Sequence, residues 1–146
     1  MILTPDFKEF LQSLNDNDVR YLVVGGYAVA FHGHPRFTKD IDIWIWVDEQ
    51  NAANLIQALD QFGFASLGLA VDDFLEPDII VQLGYPPNRV DLITGLKGVE
   101  FTACYAHRIE ETIDGLTVSF IDLENLKKNK KAVGRLQDLA DLENLE

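Results

Sequence analysis

The chain has 146 residues, 47% of them apolar, and 24 acidic against 12 basic side chains give a net charge of −12. That length suits one domain with a real core and is too short for two, and the acidity argues against extended, non-specific nucleic-acid binding. No segment approaches a membrane span, the N-terminus with Pro5, Asp6 and no basic lead does not read as a signal peptide, and the single Cys104 offers no disulfide framework, so a reducing cytoplasm is the expected compartment.

Taken in chain order, Thr4 and Pro5 open a first helix carrying Phe7, Phe10, Leu11 and Leu14, and the polar run from Asn15 to Asp18 ends it. A short apolar strand over 21–25 passes through Gly25 and Gly26 into a helix reaching about Phe31, followed by a polar loop through Pro35. A strand over 40–47 leads to a helix over 50–62, closed by Gly63. Residues 66–77 carry no readable pattern. The runs 79–83 and 90–93 read as paired strands, and Asp114-Gly115 marks a hairpin between 108–113 and 116–120. Asp122 can cap a helix through Leu123 and Leu126. A second amphipathic run after Gly134 sets Leu136, Leu139, Leu142 and Leu145 on one face, so the C-terminal segment from about 122 to 146 is expected to be helical. No internal repeat or low-complexity stretch interrupts this single α/β unit.

The strand over 40–47 carries the chemistry. Side chains alternate along a strand, so Asp40, Asp42, Trp44 and Trp46 share one side while Ile41, Ile43, Ile45 and Val47 share the other. Two like charges at alternate positions of an otherwise apolar strand repel one another unless a cation neutralises them. A hard divalent ion with oxygen ligands is the natural partner, and Asp91 on the later strand can supply a third carboxylate. The bland alternative, a solvated strand end, is made less attractive by the context. A strand running through two glycines into a helix leaves backbone N–H groups open to phosphate.

Val24-Gly25-Gly26, thirteen intervening residues and Asp40-Ile41-Asp42-Ile43 together resemble the signature of the DNA polymerase beta-type nucleotidyltransferase superfamily. Within it, the chain is similar to small stand-alone members, the minimal and the abortive-infection or toxin-antitoxin type enzymes. Further support comes from His32-Gly33 with Arg36 and Thr38, from Arg89-Val90-Asp91-Leu92-Ile93-Thr94, and from the tail over 129–142. The resemblance implies a nucleotidyltransferase fold of α/β (α+β) class: a small mixed sheet bearing the aspartates, flanked by helices, with a helical C-terminal tail. It implies Mg²⁺ or Mn²⁺ on Asp40, Asp42 and Asp91, NTP as substrate, and NMP transfer to a hydroxyl of RNA, such as a tRNA end, or of a protein. Gly25 and Gly26 would meet the phosphates, Arg36 and Thr38 would touch phosphate or fix the loop, and Lys130 would reach the triphosphate. Asp138 would be a further acid of the site or a partner orienting Lys130 and Arg135. A cognate toxin or antitoxin protein is a further implied partner.

Five of the twelve cations, Lys127, Lys128, Lys130, Lys131 and Arg135, fall within nine residues. Most read as a solvated helix face. His32, His34 and His107 lack zinc-ligand spacing and read as loop or surface residues. Haloacid-dehalogenase phosphatases, Toprim domains and sugar-nucleotide glycosyltransferases fit the Asp-x-Asp context less well. The serious rival is a non-catalytic nucleotide-binding or antitoxin module acting through a protein partner.

Overall fold

The computed structural model describes residues 3–33, 38, 40–84 and 88–145. Its elements are α1 (Pro5–Asp16), β1 (Tyr21–Val24), α2 (Gly25–Phe31), β2 (Asp40–Ile45), α3 (Glu49–Phe62), β3 (Ile80–Leu83), β4 (Arg89–Ile93), α4 (Phe101–Ala106), β5 (Ile109–Ile113), β6 (Leu116–Phe120), α5 (Leu123–Val133) and α6 (Leu136–Leu145). The strands form one mixed sheet in the order β3-β4-β2-β1-β6-β5. β2 runs parallel to β4 and antiparallel to β1, while β1 runs parallel to β6. The expected α/β class and mixed sheet are both present.

Local chemistry sets the helix ends. The Thr4 hydroxyl accepts from the Phe7 amide at 3.3 Å, and Pro5 sits where a helix has no use for an amide hydrogen. Asp48 caps α3 by accepting from the Asn51 amide at 3.0 Å, and Gly63 closes it in the left-handed conformation. Asp122 caps α5 in the same way, through the Asn125 amide. Buried Asn51 then spends its amide on the sheet: Oδ1 accepts from Arg20 N at 2.7 Å, and Nδ2 donates to the carbonyls of Arg20 and Trp46 at 3.1 and 2.9 Å. With all these groups satisfied, the start of β1 and the end of β2 are tied to α3.

Strand alternation divides the interior in two. Tyr21 and Val23 of β1 with Ile41, Ile43 and Ile45 of β2 pack under α1 and α3. Leu22, Val24 and Trp44 pack on the other side against Ala28, Phe101, Cys104, Leu126 and Leu145 from the remaining helices. Cys104 is a buried hydrophobe there, its thiol pushed up to about 11 by burial first and the Asp122 charge second.

Three stretches differ from the sequence expectation. Residues 66–77 contain parts of two short 3₁₀ turns, Ala65–Leu67 and Val71–Phe74, the second inserting Phe74 into the core. α4 was not expected; it is six residues long and its Glu100 cap makes no side-chain hydrogen bond. In α6 the leucine stripe does not face inward throughout: Leu136 and Leu139 are 88% and 49% exposed, whereas Asp138 and Asp141 are buried with Leu145. Ion pairs to buried Lys130 accompany this orientation. Among the described residues no helix is long and apolar enough to cross a membrane.

Candidate active site

Register brings the three aspartates together. Asp40 and Asp42 project from the same side of β2, and the parallel pairing sets Asp91 directly opposite Asp42. One carboxylate oxygen from each lies within 4.8 Å of the others, a convergence suited to a hard divalent cation with oxygen ligands. The electrostatics point the same way. Asp42 is pushed up to about 7, first by burial and then by the charges of Asp40 and Asp91, with Lys130 pulling in the opposite direction. Asp91 is also raised by burial and by Asp40, although Arg89 opposes the rise.

The triad lines a cleft of about 530 Å³. Gly25 forms one wall, and its φ of 66° is a conformation that favours glycine. Antiparallel pairing places Val24 opposite Asp42, so the chain turns into α2 hard against that carboxylate. A Cβ added at Gly25 would overlap Asp42 Oδ2. Gly26 is buried rather than part of the lining, so the two expected phosphate-facing glycines are not equivalent.

Lys130 and Arg135 also line the cleft. Lys130 is buried and its ammonium lies 3.0 Å from Asp141 Oδ2 and 3.3 Å from Asp138 Oδ1. Arg135 is exposed and donates to Asp138 at 2.8 Å. Burial pushes the Asp138 carboxyl up, but hydrogen bonding from Arg135 and the charge of Lys130 more than offset this and leave it below its usual range. Asp138 thus contacts both Lys130 and Arg135 while lining the cleft. Asn129, also in the lining, donates to the Lys97 carbonyl at 2.9 Å.

The cleft thus unites Asp40, Asp42, Asp91, Gly25, Lys130 and Asp138. Thr38 bonds locally, its hydroxyl donating to the Asp40 carbonyl at 3.1 Å. Arg36 and His34 lie outside the described residues. His32 donates through Nε2 to the Ile121 carbonyl at 2.7 Å, and His107 is an exposed residue whose backbone N–H closes the C-terminal end of α4. Sequence reasoning missed two residues. Arg89 grips Asp40 and Asp91, and Asp141 receives Lys130. The alternate spacing of Arg89 and Asp91 was a usable signal, whereas Asp141 was hidden among residues resembling a solvated helix face.

Comparison with solved structures supports the fold. A protein of Thermotoga maritima provisionally described as a nucleotidyltransferase superposes with a TM-score of 0.63 at 16% identity, over 98% of this chain and 94% of that one. An antigenic nucleotidyltransferase-like protein from Paracoccidioides brasiliensis gives 0.57 at 20% identity, over 98% and 77%. No curated protein matches the sequence. A family model described as a nucleotidyltransferase of unknown function, DUF6036, spans residues 3–146, and the chain belongs to that family.

Proposed function

We propose that this protein is a metal-dependent nucleotidyltransferase that moves an NMP from an NTP to a hydroxyl acceptor, an RNA 3′ end such as that of tRNA or a protein side chain. The observation that carries the reading is the convergence of Asp40, Asp42 and Asp91 in a cleft that Lys130 also lines. In the reaction the acceptor oxygen bonds to the α-phosphorus, the α–β phosphoanhydride bond breaks, and pyrophosphate leaves. Asp40 and Asp42 would hold Mg²⁺ or Mn²⁺, with Asp91 completing the ligand set. Such ions, when bound, neutralise the leaving pyrophosphate and acidify the attacking hydroxyl.

The chain's own groups have separate tasks. Asp91, set directly opposite Asp42 by the strand register, orients the acceptor hydroxyl and draws on its proton. Lys130, held by Asp138 and Asp141, offers a fixed positive charge to the triphosphate. The backbone at Gly25 lets phosphate approach without side-chain obstruction. The concentrated cations near the cleft and the net charge of −12 favour transfer of one or a few nucleotides over processive synthesis along a nucleic-acid track.

The test is incubation of the purified protein with each labelled NTP, Mg²⁺ or Mn²⁺, and either total cell RNA or protein lysate. Label retained in RNA or protein identifies the acceptor class. No transfer from any NTP under these conditions would instead support the non-catalytic partner-binding module, and long homopolymers would contradict limited transfer.

A further inference from the structure

Asp40 and Asp91 already have a cationic partner. The parallel register sets Arg89 opposite Asp40, and alternation along β4 sets it on the same side as Asp91. The guanidinium Nη2 donates to Asp40 Oδ2 at 2.7 Å, while Nε and Nη2 donate to the two oxygens of Asp91 at 2.9 and 3.1 Å. This planar fork can bridge two carboxylates, a geometry unavailable to the compact head of a lysine.

We propose that Arg89 is a resident counter-ion of the triad, holding Asp40 and Asp91 together in the cation-free protein and competing with a divalent cation for them. The inference rests on the metal-site reading above. One positive charge among three carboxylates offsets part of their repulsion, so the site can remain formed before an ion arrives. An entering divalent ion is attracted by the same carboxylates but repelled by the guanidinium at close range. The Arg89 side chain is 29% exposed and lines the cleft, so solvent and an entering ion can reach it while its backbone stays in β4. Arg89 is thus a positioning residue: it acts through the carboxylates and sets how tightly they take the ion. A purely structural ion pair would leave ion affinity unchanged, and a permanent clamp on the ligands would increase it.

Direct Mn²⁺ binding, followed by loss of the free-ion electron paramagnetic resonance signal without nucleotide, distinguishes these cases. Arg89→Met should bind Mn²⁺ about tenfold more tightly than wild type. It should also melt lower without the ion and gain more from adding it. Asp42→Asn should lose ion uptake, linking the signal to the triad. Equal or weaker binding by folded Arg89→Met overturns this inference while leaving the metal site intact. No Mn²⁺ uptake by wild type or Arg89→Met overturns both. Should Arg89→Met fail to fold without the ion, Arg89→Gln decides the matter: its amide can still donate to a carboxylate but carries no charge, so tighter binding is expected and unchanged binding overturns the proposal.

Discussion

The two faces of the central sheet are made by the same strands one residue out of phase. On β2, Ile41, Ile43 and Ile45 enter the core beneath α1 and α3, whereas Asp40, Asp42 and Trp44 belong to the cleft-bearing side. The isoleucine face needs apolar volume and can be satisfied by packing alone. The other face gathers three carboxylates whose burial and mutual repulsion raise proton affinity at Asp42 and Asp91. Alternation therefore separates groups that stabilise the fold from groups that burden it, on one six-residue strand.

The sharpest way to break this contrast is Asp91→Asn. Transfer should fall about 10²–10⁴-fold while labelled-NTP binding remains near wild type, because the variant removes a base without removing volume. Full transfer by the variant would assign the chemistry to another group. Lys130→Ala comes next and tests whether the charged wall is also structural. It leaves Asp138 and Asp141 buried without their ammonium, at a cost of about 3–5 kcal/mol, read as a fall in the urea midpoint. A midpoint unchanged from wild type would show that the buried network is dispensable.

Asp42 adds a pH dependence with a definite sign. Its folded-state pKa near 7 lies above the ordinary value of 3.8, so the native state binds more protons than the unfolded chain between these values. Its contribution to stability therefore falls as pH rises from about 4 to about 7, by on the order of 4 kcal/mol, with the loss complete above that range. Asp42→Asn should remove this decline and melt higher than wild type at pH 8. An identical difference in melting temperature at pH 4 and pH 8 would contradict this assignment.

On the opposite face, Ile43→Ala should cost about 2–5 kcal/mol of stability and leave Mn²⁺ affinity unchanged in the folded fraction. Coupled loss of ion binding would mean that the two faces are not separable. The smallest effect belongs to Lys128→Ala, an exposed change expected to stay within about 0.5 kcal/mol by the same denaturant titration.

Much of this division was legible in the chain because alternation is a local rule. Asp40, Asp42 and the isoleucines announce their faces without knowledge of the fold, and the caps at Thr4 and Asp122 act within a single turn. The less legible parts depend on distant partners. Leucines at 136, 139, 142 and 145 suggest an inward stripe, yet α6 turns Asp138 and Asp141 inward, where they pair with the Lys130 ammonium from α5. Arg89 shows its alternation with Asp91 in sequence, but its reach to Asp40 depends on parallel pairing between separated strands. α4 and the two 3₁₀ turns are too short to establish a secure hydrophobic period.

The contact between Gly25 and Asp42 couples what two distant sequence positions can hold. A side chain at 25 must both adopt a disfavoured backbone conformation and invade the volume of the Asp42 carboxylate. Drift at 25 is therefore blocked while the acid at 42 is retained, and a smaller residue at 42 relieves the collision but leaves the backbone penalty. Across relatives of this chain, a bulky residue at the position equivalent to 25 should coincide with replacement of the acid equivalent to 42. Such paired replacements would mark lineages in which the cleft has been released from its present chemistry, even where the surrounding sheet persists.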